Sequence, residues 1–169
     1  MINFKQFREL IVKPTLSFLD EVIPYSEEAV DLLLMTVAHE SVGGTYLKQV
    51  KGPALGVYQI EPATHEDVYK NYLDYRSVMK SYIQDLQVVA SVGDEEGRTF
   101  FDEDLIFNLV YATAVARVIY WRAPEPLPEK YKGDYWMDLA KYAKKYYNTS
   151  AGKATAEKYY EDYVEWSKV

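Results

Sequence analysis

The stretch Ser26-Glu-Glu-Ala-Val-Asp-Leu-Leu-Leu-Met-Thr-Val-Ala-His-Glu40-Ser41, closed by Gly43-Gly44, constrains the fold more than any other part of the chain. A serine in the N-cap position, two acids in the first turn and a glycine pair after the last apolar residue are the start and stop signals of one α-helix. Its apolar content leaves little polar face, so protein must surround it on most sides.

The rest of the sequence supplies helices to do so. Thr64-His65-Glu66-Asp67 reads as a capping box opening a second helix, whose Val68, Tyr72, Tyr75, Met79, Tyr82, Ile83 and Leu86 recur at helical spacing up to a stop before Gly93. A third helix is expected from 102–104 to Pro124, with Ala112 and Ala116 on one face permitting close approach of a neighbour. An amphipathic opening helix carries Phe4, Phe7 and Ile11 and ends at Pro14, and two late helices cover 135–147 and 155–168, separated by Asn-Thr-Ser-Ala-Gly-Lys. Ala123-Pro-Glu-Pro-Leu-Pro128 is an extended connector. The glycine-rich interval 42–62 is the only long irregular stretch; it has room for a short hairpin, and irregular segments of that length in compact domains tend to serve function. The predicted class is therefore all-α, and 169 residues suit one domain spanning 1–169.

Several function classes drop out on composition. A formal charge of −7 opposes generic nucleic-acid binding and gives no attraction to a polyanionic surface. The apolar runs fall short of the ~20 residues a membrane span requires. With no cysteine, disulfides, thiolate metal sites and cysteine nucleophiles are excluded. The opening Met-Ile-Asn-Phe-Lys-Gln-Phe-Arg-Glu lacks the apolar core of a secretory signal, so synthesis and retention in the producing cell's cytoplasm are expected.

One residue stands out chemically. Glu40 is in helical phase with Ala29, Leu33 and Thr36, which sets a carboxylate on the apolar stripe. Desolvation there, and the negative end of the helix dipole, both disfavour ionisation and raise the pKa toward the range of a general acid. Phase alone equally allows a glutamate turned to solvent at a fraying helix end.

The surrounding string Ala-His-Glu-Ser-Val-Gly-Gly-Thr-Tyr-Leu-Lys-Gln-Val-Lys-Gly-Pro-Ala-Leu-Gly-Val-Tyr-Gln-Ile-Glu-Pro-Ala-Thr-His, within the segment 38–73, narrows the choice. It resembles the catalytic segment of lytic transglycosylases and goose-type lysozymes, where Glu-Ser ends a buried helix and Gly-x-x-Gln-Ile-x-Pro-x-Thr follows. Asn108-Leu-Val-Tyr-Ala-Thr-Ala-Val-Ala-Arg117 is similar to that family's alanine-rich core helix, and Tyr146-Tyr147-Asn148-Thr149 to its late Tyr-Asn motif. The resemblance implies a lysozyme-like fold, peptidoglycan as substrate and no cofactor. It implies Glu40 as the acid that protonates the glycosidic oxygen, with departure of the leaving sugar assisted by the substrate's own N-acetyl group. Ser41, Tyr46, Tyr58, Gln59, Tyr147 and Asn148 are the implied substrate contacts. The wording of the motifs looks like a phage-encoded branch acting in wall penetration or lysis, at the virion or the host envelope. The alternative within that branch is a non-catalytic virion structural or wall-binding protein associated with other phage proteins.

The chain departs from the common pattern at Tyr58 and Glu61, where methionines are usual, and in Tyr-Asn-Thr-Ser-Ala-Gly in place of Tyr-Asn-Ala-Gly. Glu61 offers a second carboxylate for an inverting, water-activating mechanism; the competing reading is a solvated loop glutamate before a proline. His39-Glu40 and His65-Glu66 lack the second histidine of H-E-x-x-H, so zinc chemistry is not expected. Asn108, on the apolar face of its helix, must find hydrogen-bond partners and is read as a brace for the core rather than a sugar contact.

Overall fold

The computed structural model describes residues 2–88, 100–148 and 154–168. Its helices are α1 Phe4–Phe7, α2 Lys13–Phe18, α3 Glu27–Glu40, α4 Pro62–Asn71, α5 Ser77–Gln84, α6 Asp102–Phe107, α7 Leu109–Trp121, α8 Tyr135–Tyr146 and α9 Ala156–Trp166. The described chain is mainly helical and forms no strand; the interval 42–62 closes through two isolated antiparallel bridges, Lys48 with Leu55 and Leu55 with Ile60, in place of a hairpin.

Helix α3 begins where its sequence dictates. The Ser26 hydroxyl accepts from the Ala29 N–H at 3.1 Å, and every residue from Ala29 to Ala38 is buried. α9 and α8 pack on one side of it and α7 on another. Burial of so apolar a helix removes of the order of 25 cal/mol per Å² of apolar surface from water, which is what holds the bundle around it. Asp31, an apparent interruption of the apolar run, is 1% exposed and accepts from Arg8 at 2.6 Å, Tyr135 at 2.9 Å and Lys130 at 3.0 Å. Three donors satisfy a charge that burial would otherwise make costly.

Three helix boundaries differ from the sequence reading, each for a local reason. The opening helix does not end at Pro14: a π-helical turn, Arg8–Val12, joins α1 to α2. In a regular helix the Pro14 ring would strike the carbonyl four residues back; the wider turn, closed by Lys13 N–H to the Arg8 carbonyl, relieves that clash. The second helix starts at Pro62, with Glu61 as N-cap and without the expected capping box, and it breaks at Tyr72, whose φ of −137° leaves the helical range. A 3₁₀ turn, Leu73–Tyr75, then leads into α5, and no glycine or proline marks the break. The stop foreseen before Gly93 lies outside the described residues.

The third boundary divides the expected long helix into α6 and α7 at Asn108. The Asn108 Oδ1 accepts from Tyr111 N–H at 3.0 Å, while its Nδ2 donates to the Leu86 carbonyl at 2.7 Å. The residue is at once the cap of α7 and its tie to the chain after α5. Asn108→Ala removes both bonds and is expected to cost about 1–2 kcal/mol, the upper half of the range for a lost cap, read as a lower urea midpoint.

The late helices sit where expected, α8 and α9 matching 135–147 and 155–168 to within two residues at either end. The 123–128 connector is extended as expected. Residues 149–153 of the separator between these helices are outside the described residues. His65, fully buried, donates from Nδ1 to Asp102 at 2.7 Å and accepts at Nε2 from the Tyr111 hydroxyl at 2.7 Å; burial lowers its pKa, so the ring is neutral in the core. It is a structural histidine tying α4 to α6 and α7.

Candidate active site

Glu40 closes α3, and from there the chain turns through two left-handed glycines, Gly43 and Gly44, into the irregular interval. That interval folds back as a shelf beside the helix end. Gly56 N–H donates to the Leu47 carbonyl at 2.8 Å, and Leu55 and Ile60 exchange two bonds of 2.9 Å. A cleft of about 400 Å³ opens between the shelf and the C-terminal ends of α3, α7 and α8. Its lining brings together Glu40, Gln59, Glu61, Tyr147 and Asn148 from the sequence-predicted set, and adds Gln49, Thr64 and Ile119. Thr64, read from sequence as a helix cap, is thus a wall of the cleft. A larger depression of about 530 Å³, along 125–133 and α8, contains none of the predicted residues.

Glu40 is partly buried, and its pKa is raised, with desolvation the largest cause. The Tyr159 hydroxyl donates to its Oε1, and this bond, together with His39 and Lys144, pulls the other way. Burial and the neighbouring Glu40 charge drive the Tyr159 phenol well above its ordinary pKa, so it remains a donor. The His39 ring stacks on Tyr159 with 3.8 Å between centroids, and its Nδ1 meets Asp162 at 2.8 Å. Through these contacts α9 fixes the orientation of a carboxylate that α3 supplies. No local signal announces Tyr159, because it lies 119 residues away along the chain.

Gln59 is held with a positive φ of 48°, uncommon for a residue with a side chain. Its Nε2 donates to the Gly56 carbonyl at 2.7 Å and, at 3.4 Å, to the Tyr46 carbonyl. Backbone strain of this kind, one residue from the cleft floor at Ile60, is a recurrent feature of ligand-binding positions.

Tyr147 lines the cleft with its ring stacked on Tyr120, 5.2 Å between centroids, while its hydroxyl donates to the Tyr58 carbonyl at 2.7 Å. Asn148 lies beside it, half-buried. Glu61 is exposed on the rim, so the cleft contains two carboxylates in different settings, one desolvated and one solvated.

Three of the expected substrate contacts are placed otherwise. Ser41 is 0% exposed: its hydroxyl donates to the Val37 carbonyl and accepts from Gly44 N–H, both at 3.0 Å, which caps the end of α3. Tyr58 is also 0% exposed, its ring in the core and its hydroxyl 3.1 Å from Thr113 Oγ1. Thr113 already donates to Leu109, so Tyr58 is the donor. Neither side chain reaches the cleft, and both support it from behind. Tyr46 is exposed but outside the lining, and it acts on the site through the carbonyl that receives Gln59.

No family model, curated protein or solved structure matches this chain significantly. What the protein does must be argued from the cleft itself. Among the described residues, no helix is long and apolar enough to cross a membrane.

Proposed function

We propose that this chain is a lysozyme-like enzyme that cleaves the glycan strands of bacterial peptidoglycan, as a muramidase or lytic transglycosylase, with Glu40 as general acid. The observation that carries the reading is the placement of Glu40. A carboxylate with a raised pKa, oriented by a phenol, opens into a cleft walled by amides, a hydroxyl and a tyrosine ring. Polar groups of that kind suit the hydroxyls and N-acetyl groups of an amino sugar, and a cleft of about 400 Å³ is within the size range of small-ligand sites.

Protonated Glu40 delivers its proton to the oxygen of the bond between N-acetylmuramic acid and N-acetylglucosamine. The neighbouring N-acetyl group of the substrate assists departure of the leaving sugar, and the 6-hydroxyl or a water completes the reaction. Gln59 and Asn148 orient the sugars, and Tyr147 offers a ring face. Glu61, solvated on the rim, is the group that would activate water in an inverting variant, which requires carboxyls ~6.5–9.5 Å apart. The lysozyme-like fold and a phage origin, in wall penetration or lysis, belong to the same proposal and rest on the motif resemblance.

The experiment is clearing of purified peptidoglycan by the full chain, followed as turbidity across several wall types and across pH. Activity with an alkaline limb set by Glu40 supports the reading. Absence of clearing on every wall type favours the non-catalytic virion or wall-binding alternative. Tyr159→Phe refines the test. The Tyr159 hydrogen bond lowers the Glu40 pKa, so its loss raises it further, and the alkaline limb of the pH–rate profile is expected to move to higher pH.

A further inference from the structure

α7 carries concavities on two opposite faces. Ile119 lines the Glu40 cleft, whereas Arg117, about 200° around the helix at 100° per residue, lines a separate cavity of about 490 Å³ with Pro24, Tyr25, Trp121, Pro124 and Leu127. Arg117 is 4% exposed. Its Nε is buried with no hydrogen-bond partner, and its Nη2 reaches only the Pro24 carbonyl at 3.4 Å. Glu125, the one acid in the lining, is paired with Lys145 at 2.5 Å. Arg117 otherwise has only the Trp121 ring, 5.3 Å away. Burial lowers its pKa to about 10, which leaves it charged at neutral pH.

A guanidinium this buried is normally paired, because its desolvation is otherwise uncompensated. Its planar fork matches a carboxylate, and the walls around it are proline, tyrosine, tryptophan and leucine. Among the described residues lining the cavity Arg117 is the one cation, so a doubly charged phosphate would be half neutralised beside an acidic rim. We infer that this cavity binds the C-terminal carboxylate of a short peptide, with Arg117 as the anion partner and the proline and aromatic walls seating the adjoining small apolar side chains. The inference does not rest on the role of Glu40.

Isothermal titration of the full chain tests it, using N-acetyl-L-alanyl-L-alanine, N-acetyl-D-alanyl-D-alanine, their C-terminal amides and inorganic phosphate. At least one acid is expected to bind saturably and roughly tenfold or more tighter than its amide, the size of a charge-assisted hydrogen bond. Arg117→Lys should weaken that acid by a similar factor, since lysine lacks the fork. Glu40→Gln should bind it as the wild type does, which separates this result from the fate of the glycan-cleavage reading. Preference for the D-peptide points to the stem peptides of the bacterial wall as the source, and preference for the L-peptide to a protein C-terminus. Equal binding of acid and amide, tighter binding of phosphate, or no saturation by either acid overturns the inference. These comparisons stand on the wild type alone if the Arg117 variant does not fold.

Discussion

Glu40→Gln is expected to lower the rate of peptidoglycan clearing by about 10²–10⁴-fold, the share that a positioned general acid supplies, while the protein stays folded. Glutamine keeps an acceptor for the Tyr159 hydroxyl and so preserves the tie between α3 and α9. What it removes is the transferable proton. The variant also separates catalysis from stability by sign. A carboxyl whose pKa is higher folded than unfolded stabilises the fold fully below its unfolded pKa, and that contribution is lost as pH rises through the folded value. Wild type should therefore lose stability relative to Glu40→Gln as pH is raised from acid toward neutral. At neutral pH the inactive variant should melt at the same temperature or higher. A variant that is inactive because it is unfolded would show the opposite order.

Gly56→Ala is expected to destabilise the protein by roughly 3 kcal/mol or more, combining a left-handed backbone with severe overpacking. Gly56 has a φ of 71°, and a Cβ built there would lie 1.8 Å from the Leu105 carbonyl oxygen of α6. The obstacle is backbone, so it cannot rotate away. In a domain of this length that loss lowers the melting temperature by about 6–12 °C. The effect should extend to the cleft, because the Gly56 carbonyl receives both the Gln59 N–H at 3.1 Å and its side-chain Nε2. Residual activity, measured well below the melting point, should fall as well.

The residues that were legible in the sequence are those whose roles are set by near neighbours. Ser26 announces α3 because an N-cap is defined three residues away, and Glu40 falls on the buried stripe because helical phase fixes direction. Gln59 and Glu61 reach the cleft because the whole 42–62 interval folds against the end of α3. The breaks at Tyr72 and Asn108 were not legible, since apolar periodicity continues through both and neither carries a glycine or proline. At Asn108 the deciding partner is the Leu86 carbonyl, distant in sequence. Pro14 misled in the other direction, because a π-turn absorbs it.

Ser41 and Tyr58 show a different limit. Their motif neighbours face the cleft, but the backbone turns at Val42 and Gln59, both with positive φ, rotate these two side chains inward. A motif conveys which segment forms a site without conveying which of its side chains point into it. Tyr159 and Thr64 complete the cleft from elements whose own patterns say only that they are helical. The carboxylate was thus readable in one dimension, whereas its orientation by Tyr159, His39 and Asp162 is a property of how α9 packs on α3.

The most direct measurement is mass spectrometry of the soluble products released from purified peptidoglycan by wild type and by Glu40→Gln in parallel. Glycan cleavage by Glu40 predicts fragments with new sugar ends between N-acetylmuramic acid and N-acetylglucosamine, 1,6-anhydro or reducing according to the attacking group, from wild type alone. Release of the same fragments by Glu40→Gln at the wild-type rate, or the absence of any new sugar end, would contradict it.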